Sequence, residues 1–178
     1  MKKLMMFAAA IVLAGATQAA MIDWSISKNA TKNYAGTASA MTVYLLSESQ
    51  WSAIQSQVAA KGEAALTSGT YLTSATSSTS GVVESEKVAV PGYNPGQSVA
   101  FYSVIFDKDS SNKPYYKAAT VSQTVYDPND DDYSTAKTAS FTALKFNNAT
   151  WTAVAPEPTS GLLMLVGLGA LALRRRRA

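Results

Sequence analysis

Apolar and polar residues alternate along most of the chain between residues 41 and 154. Side chains alternate between the two faces of a strand, so this period predicts strands with one buried face. The segment VAFYSVIF is apolar at almost every position and predicts a central strand covered on both faces. Turn clusters such as PGYNPG, DKDSSNKP and DPNDDD separate the apolar stretches. The predicted strands are residues 41–46, 82–90, 99–106, 115–126, 138–146 and 150–154.

One segment has a helical period instead. In SESQWSAIQSQVAAKG, three apolar residues recur at steps of three and four, behind a Ser47 cap and before Gly62. They are Trp51, Ile54 and Val58. The sequence therefore predicts a mainly β fold: an antiparallel β-sandwich with one short amphipathic helix at an edge or end. The Ser/Thr-rich residues 73–81 favour a flexible loop.

The first twenty residues, MKKLMMFAAAIVLAGATQAA, have the three parts of a secretory signal peptide. Lys2 and Lys3 precede an apolar core, and small residues follow with cleavage expected after Ala19 or Ala20. The alternative is an uncleaved N-terminal anchor, for which the apolar core is short. Residues 1–20 are thus predicted to be a signal peptide, and residues 21–155 an exported β-rich domain.

The chain ends in an apolar run and four arginines. Fifteen residues of helix span ~22 Å, which is short for a bilayer and by length alone would suit a buried helix. However, residues 161–173 contain no polar side chain, and long arginine side chains can extend the effective span. We therefore expect a transmembrane helix over 160–173 that stops transfer, with the N-terminus outside. The arginines on the cytoplasmic side are Arg174, Arg175, Arg176 and Arg177.

A Pro-Glu-Pro triplet stands directly before this run, at Pro156, Glu157 and Pro158. The order of triplet, short apolar helix and arginine cluster at residues 156–178 resembles the PEP-CTERM sorting signal. The resemblance implies that an exosortase, a membrane-embedded cysteine transpeptidase, recognises the segment and cuts near the triplet. It also implies an exported bacterial protein tied to exopolysaccharide or biofilm matrix. The alternative is a single-pass anchor that is never cut.

The amino-acid composition excludes several kinds of functional site. The chain has no cysteine and no histidine, which excludes a disulfide framework, a Cys/His zinc site, a cysteine nucleophile and a Ser-His-Asp triad. Six of its fifteen basic residues stand in the two terminal segments, so residues 21–155 carry nine basic and eleven acidic residues. A nucleic-acid partner is therefore not expected.

Two acidic loops are candidates for a calcium site, because calcium prefers closely spaced oxygen ligands. The first offers Asp127, Asn129 and Asp131; the second offers Asp107, Asp109 and Asn112. Neither has the full EF-hand pattern, so solvated hairpin turns are the alternative, and a joint site requires both loops at one end of the sandwich. No other cofactor is expected.

Aromatic residues near loops are candidates for stacking on sugars: Tyr93, Tyr115, Tyr116 and Tyr133. Trp51 and Trp151 are better explained as core residues. Glu84 and Glu86 share a strand face, but beside Lys87 they indicate a solvated surface rather than a hydrolytic pair. We therefore expect no catalytic residues and no enzymatic activity.

Two hypotheses follow for the exported domain. The first is a structural protein of the cell surface or extracellular matrix, with the secretion machinery, exosortase, the membrane and exopolysaccharide as partners. The second is a carbohydrate-binding or adhesion module presented by the same route. Exposed coplanar tyrosines at one end of the sandwich would favour the second, and a featureless polar surface would favour the first. A hydrolase is the weakest alternative.

Overall fold

A computed structural model describes residues 19–129 and 138–155. These residues form eight strands, two α-helices and one short 3₁₀ helix. The strands are β1 (Ala20–Ile26), β2 (Thr42–Ser47), β3 (Thr73–Thr76), β4 (Val83–Val90), β5 (Ser98–Lys108), β6 (Pro114–Thr124), β7 (Thr138–Phe141) and β8 (Thr152–Ala153). The helices are α1 (Glu48–Lys61), the 3₁₀ helix (Gly62–Ala65) and α2 (Ala143–Asn148).

The strands form two sheets. One has three strands in the order β4-β1-β7, and the other has five in the order β3-β2-β5-β6-β8. Every pairing is antiparallel except that of β1 with β7, which is parallel. The mainly β fold is as the sequence predicted. The prediction of a purely antiparallel arrangement is wrong, because β7 lies beside β1 and runs in the same direction.

The main core lies between the two sheets. It takes the inward side chains of both sheets, including Ile22 and Trp24 of β1 and Leu45, Phe101 and Ile105 of β2 and β5. Trp24 is fully buried, and its indole N–H donates to the Ser103 hydroxyl over 3.3 Å, so a hydrogen bond joins the two sheets through the core. The arrangement is consistent with a β-sandwich.

Helix α1 packs on the outer face of the five-stranded sheet, rather than at an edge or end as expected. Trp51, Ile54 and Val58 face Leu46 and Val104 in a second apolar cluster. This explains the double-sided apolar character of β5, whose alternate residues serve the two clusters. The Ser47 side chain accepts the N–H of Gln50 while the Gln50 side chain accepts the Ser47 N–H, a reciprocal cap that begins the helix. Gly62, at φ +63°, ends it.

Three further sequence predictions change. Residues 138–146 are not one strand, since Thr142 caps α2 by accepting the N–H of Lys145 and so divides the segment. Residues 73–81 are not simply a loop, because Thr73–Thr76 pair with β2. The strand β1 was not predicted at all, and it begins at Ala20, within the segment assigned to the signal peptide.

The two ends of the sandwich are named here by where the described chain enters and leaves the domain. At the entry end, β1 begins, β5 begins and β6 ends, and Met21 bridges to Tyr126. At the exit end, β5 ends at Lys108, β6 begins at Pro114, and the described chain leaves at Ala155. Eleven residues of β5 at ~3.4 Å each place the two ends about 35 Å apart.

Candidate functional site

The last described residues are fastened to the body of the domain. The N–H of Val154 donates to the carbonyl oxygen of Pro114 over 3.0 Å, and that of Ala155 donates to the carbonyl oxygen of Ala59 over 2.9 Å. The Val154 side chain is 8% exposed and packs on Gly62, where an added Cβ would meet it at 3.3 Å. The folded domain therefore continues to Ala155, with no spacer before Pro156.

Three aromatic side chains meet beside this exit. The ring centroids of Tyr34 and Tyr115 are 4.4 Å apart at 35°, and those of Tyr34 and Trp151 are 6.0 Å apart. The Lys117 ammonium lies 5.0 Å from the centroid of the Trp151 ring, at cation–π distance. Tyr34 is 40% exposed, and the others are half-buried. This aromatic cluster (Tyr34, Tyr115, Trp151 and Lys117) forms a partly exposed surface of three tilted rings and one cation.

Two aspartates hold the cluster in place. Asp107, at the end of β5, accepts the Tyr34 N–H over 2.6 Å and fixes the loop that carries this ring. Asp109 accepts the N–H groups of Ser111 and Lys113 at 2.8 and 2.9 Å, which closes the turn between β5 and β6. Both carboxylates build loops, so the second acidic segment is a hydrogen-bonded turn.

Two side chains of the cluster, Tyr115 and Lys117, have shifted pKa values. Interaction with the Tyr34 side chain, followed by burial, raises the pKa of the Tyr115 phenol above its ordinary value. Burial lowers the pKa of Lys117, and the nearby Lys32 lowers it further. Both shifts favour the neutral forms of the two groups.

A cleft of about 410 Å³ lies on the other side of Tyr115. Its walls are the C-terminal end of α1 with the 3₁₀ helix, and the ends of β5 and β6. Charged side chains of both signs line it: Lys61, Glu63, Asp107 and Lys108. Val154 packs on Gly62 and hydrogen-bonds to Pro114, which are both wall residues, so the chain leaves the domain beside this cleft.

The two acidic loops lie at opposite ends of the sandwich. Asp109 is at the exit end, whereas Asp127 follows β6 at the entry end. The Asp127 carboxylate accepts the backbone N–H of Asn129 at 2.9 Å, a local turn contact. A joint calcium site therefore does not form, and Asp131 lies outside the described residues. Within residues 19–129 and 138–155, no group of three metal-ligating His, Cys, Asp or Glu side chains is found.

The four candidate tyrosines do not form one platform. Tyr93 lies at the entry end and packs partly against the main core. Tyr116 faces the opposite side of β6 from Tyr115 and packs near Trp51 and Phe106 under α1. Only Tyr115 belongs to the aromatic cluster, and Tyr133 lies outside the described residues. Glu84 and Glu86 are exposed on β4, the outer strand of the three-stranded sheet.

Comparison with known proteins identifies the segment that follows the domain. A family model described as the PEP-CTERM protein-sorting motif matches residues 154–177. The C-terminus of this chain is a PEP-CTERM sorting motif. Searches of curated proteins and of solved structures gave no significant match.

The PEP-CTERM motif implies an exported protein that an exosortase sorts and that is processed at the membrane. The match begins at Val154, so Val154 and Ala155 belong both to the motif and to the folded domain. The PEP-CTERM triplet, the expected helix at 160–173 and the four arginines lie outside the described residues, as does most of the expected signal peptide. Among the helices that the structure describes, none has the length and apolarity to cross a bilayer.

Sequence reasoning missed most of the aromatic cluster next to the PEP-CTERM junction. Tyr34 lies in a loop without periodic pattern. Trp151 packs against the main core, as predicted, but its contact with Tyr34 was not predicted. Lys117 gave no separate indication within β6. The usable hint was the spacing of Tyr115 and Lys117 by two, which places both on one face of a strand.

Proposed function

We propose that this protein is a non-enzymatic structural component of the cell surface or extracellular matrix, associated with exopolysaccharide. The observation that carries the proposal is the direct junction at Ala155 between a folded domain and the PEP-CTERM motif. Sorting would then deliver the whole β domain as a unit, held close to the point of attachment. A domain of about 135 residues without cysteine depends on its packed core for stability outside the cell.

The proposed route begins with a signal peptide at residues 1–20. Ala20 is buried and pairs with Val90, so cleavage after Ala19 keeps β1 whole, whereas cleavage after Ala20 removes its first residue. We therefore favour cleavage after Ala19. The chain would next be held as a single-pass protein with its N-terminus outside, by residues 160–173 and the four arginines, until exosortase acts at Pro156, Glu157 and Pro158.

A structural role is supported by what the candidate carboxylates do. Asp107, Asp109 and Asp127 all accept backbone N–H groups in turns. Glu63 accepts the Tyr44 hydroxyl over 2.7 Å. These are the contacts of residues that build loops and fasten elements together.

The test is fractionation of the producing cells, with and without exopolysaccharide synthesis. The proposal expects the protein in the surface and matrix fractions of normal cells, and its release into the medium when the polysaccharide is missing. A variant that lacks residues 156–178 should leave the cell without being retained. Retention of that variant, or unchanged retention without polysaccharide, would contradict the proposal.

A second candidate function, carbohydrate binding, is favoured by the aromatic cluster at the exit end. Sugars stack on exposed aromatic faces, and Tyr34 presents the most exposed ring of the cluster. On this hypothesis, Tyr34→Ala weakens binding to the cell's own purified polysaccharide at least tenfold. Leu144→Ala is the matched control, because Leu144 is 66% exposed on α2 and lies outside the cluster. Equal binding by both variants would count against a glycan site here.

A further inference from the structure

The charges of the domain are divided between its two ends. Residues 21–155 contain nine lysines, and seven of them lie at the exit end. Five are exposed and two are half-buried around the aromatic cluster. The exposed lysines are Lys28, Lys61, Lys108, Lys113 and Lys145, and the half-buried pair is Lys32 and Lys117.

The topology, rather than the sequence, brings these lysines together. Lys28 follows the end of β1, Lys61 ends α1, and Lys108 ends β5. Lys145 lies on α2, whose first turn is tied to this end by the hydrogen bond from the Ala143 N–H to the Ser27 hydroxyl. Lys32 is near enough to Lys117 to lower its pKa.

Among the residues that the structure describes, acidic side chains at the exit end are fewer than lysines. Glu63, Asp107 and Asp109 lie there, and Glu84 is one residue inside β4 near the same end. At the entry end, Glu48 begins α1 and Asp127 follows β6. The exit end is thus net positive, although residues 21–155 together are net negative.

The position of the exit end relative to the membrane follows from chain length. Five residues, 156–160, separate Ala155 from the apolar run that begins at Gly161. Extended at ~3.1–3.4 Å per residue, they span about 15–17 Å. Before processing, Ala155 therefore lies at most about 17 Å from the start of the apolar run, so the tether allows the exit end to reach the headgroups. Exposed charges interact there once they come within a Debye length, ~8–10 Å.

We propose that the exit end is a docking surface for anionic phospholipid headgroups, which orients the domain on the membrane while its PEP-CTERM motif awaits processing. Anionic headgroups attract lysines that lie close to them. Tyr and Trp rings, such as those of the aromatic cluster, are enriched at the membrane–water interface. Tethering through the C-terminal segment raises the effective concentration of the domain at the membrane, so a weak affinity for headgroups is enough to keep it docked. The inference rests on the proposed insertion of residues 161–173.

The absence of cysteine allows a direct test in nanodiscs on the unprocessed chain, which begins at Ala20 and keeps residues 156–178. A fluorophore on Ser111→Cys, in the turn between β5 and β6, marks the exit end, and one on Asn94→Cys marks the entry end. Quenching by a headgroup-attached quencher is compared between phosphatidylcholine discs and discs that contain phosphatidylglycerol. Docking predicts stronger quenching at position 111 with phosphatidylglycerol, reversed by high salt, and little change at position 94.

Charge variants separate docking from simple tethering. Each lysine near the surface contributes about fivefold to the ratio of docked to undocked domain, so Lys145→Gln should reduce it about fivefold. Lys87→Gln is the matched control, because it removes the same charge from β4, four residues from the strand's first residue. Equal effects of the two variants, or quenching that ignores lipid charge, would overturn the proposal.

Two further outcomes are distinguishable. If soluble alginate reduces the quenching at position 111 while the lipid charge does not change it, the surface recognises an anionic polysaccharide and the lipid proposal is wrong. If the chain does not enter nanodiscs, the proposed topology fails, and this inference fails with it.

Discussion

The backbone N–H of Ala155 donates a 2.9 Å hydrogen bond to the carbonyl oxygen of Ala59. Ala155 is the residue directly before the PEP-CTERM triplet. The bond ties the end of the domain to the last turns of α1, so the processing enzyme meets the triplet directly against a folded surface. A protease-like enzyme binds its substrate as an extended strand, and Thr152–Ala153 are already paired with β6. We therefore expect the packing of the domain end to limit access by exosortase.

Lengthening the junction should ease processing. Insertion of Gly-Ser-Gly-Ser between Ala155 and Pro156 leaves the hydrogen bonds of Val154 and Ala155 intact and adds reach. We expect an unchanged melting temperature and faster appearance of the processed form in a pulse-chase experiment. Identical processing kinetics would show that the fastened end does not restrict the enzyme.

Val154 should contribute measurably to domain stability. Its side chain is 8% exposed against Gly62, so Val154→Ala removes buried methyl groups and should cost about 2 kcal/mol of unfolding free energy. Thr152→Ala, at an exposed position of the preceding strand β8, is the control and should change stability by less than about 0.5 kcal/mol. Urea unfolding measures both, and equal midpoints would contradict the packing described here.

The hydrogen bond between the sheets gives a third prediction. Ser103→Ala leaves the buried Trp24 indole N–H without its acceptor and should cost about 1–3 kcal/mol. Adding Trp24→Phe removes the donor too, so the Ser103→Ala cost should shrink in that background. Ser122→Ala, exposed on β6, is the control. Additive effects in the double-mutant cycle would mean that the two side chains do not interact.

Tyr44 should make stability fall at alkaline pH. Burial, together with the hydrogen bond to Glu63, raises the pKa of its phenol above the ordinary 10.0. The unfolded chain then loses this proton first, so the contribution is complete below about pH 10 and declines as the pH rises toward the folded-state pKa. Tyr44→Phe should flatten the decline of the urea midpoint between about pH 9 and pH 11. An unchanged slope would exclude Tyr44 as its source.

Local patterns were sufficient to predict several elements. The Ser47 cap, the spacing of Trp51, Ile54 and Val58, and the Gly62 stop predicted α1, and the double-sided apolar run predicted the central strand β5. These features depend on neighbours in sequence, where periodicity and capping have direct physical causes.

Other elements depend on contacts that sequence does not display. Strand β1 adjoins a predicted cleavage site, and its parallel partner β7 lies more than a hundred residues away. The aromatic cluster joins a loop residue, Tyr34, to Trp151 at the far end of the domain. The Asp107 carboxylate also accepts the Tyr34 N–H, a long-range contact that no spacing rule predicts.

The most direct test of the central claim, that the protein is exported and processed at its PEP-CTERM motif, is the intact mass of the mature protein from its own cells. Peptide mapping should place the C-terminus near Glu157, bare or carrying an adduct. It should place the N-terminus at Ala20. A mature chain that still ends in RRRRA would contradict processing, and residues 161–173 would then be a permanent anchor.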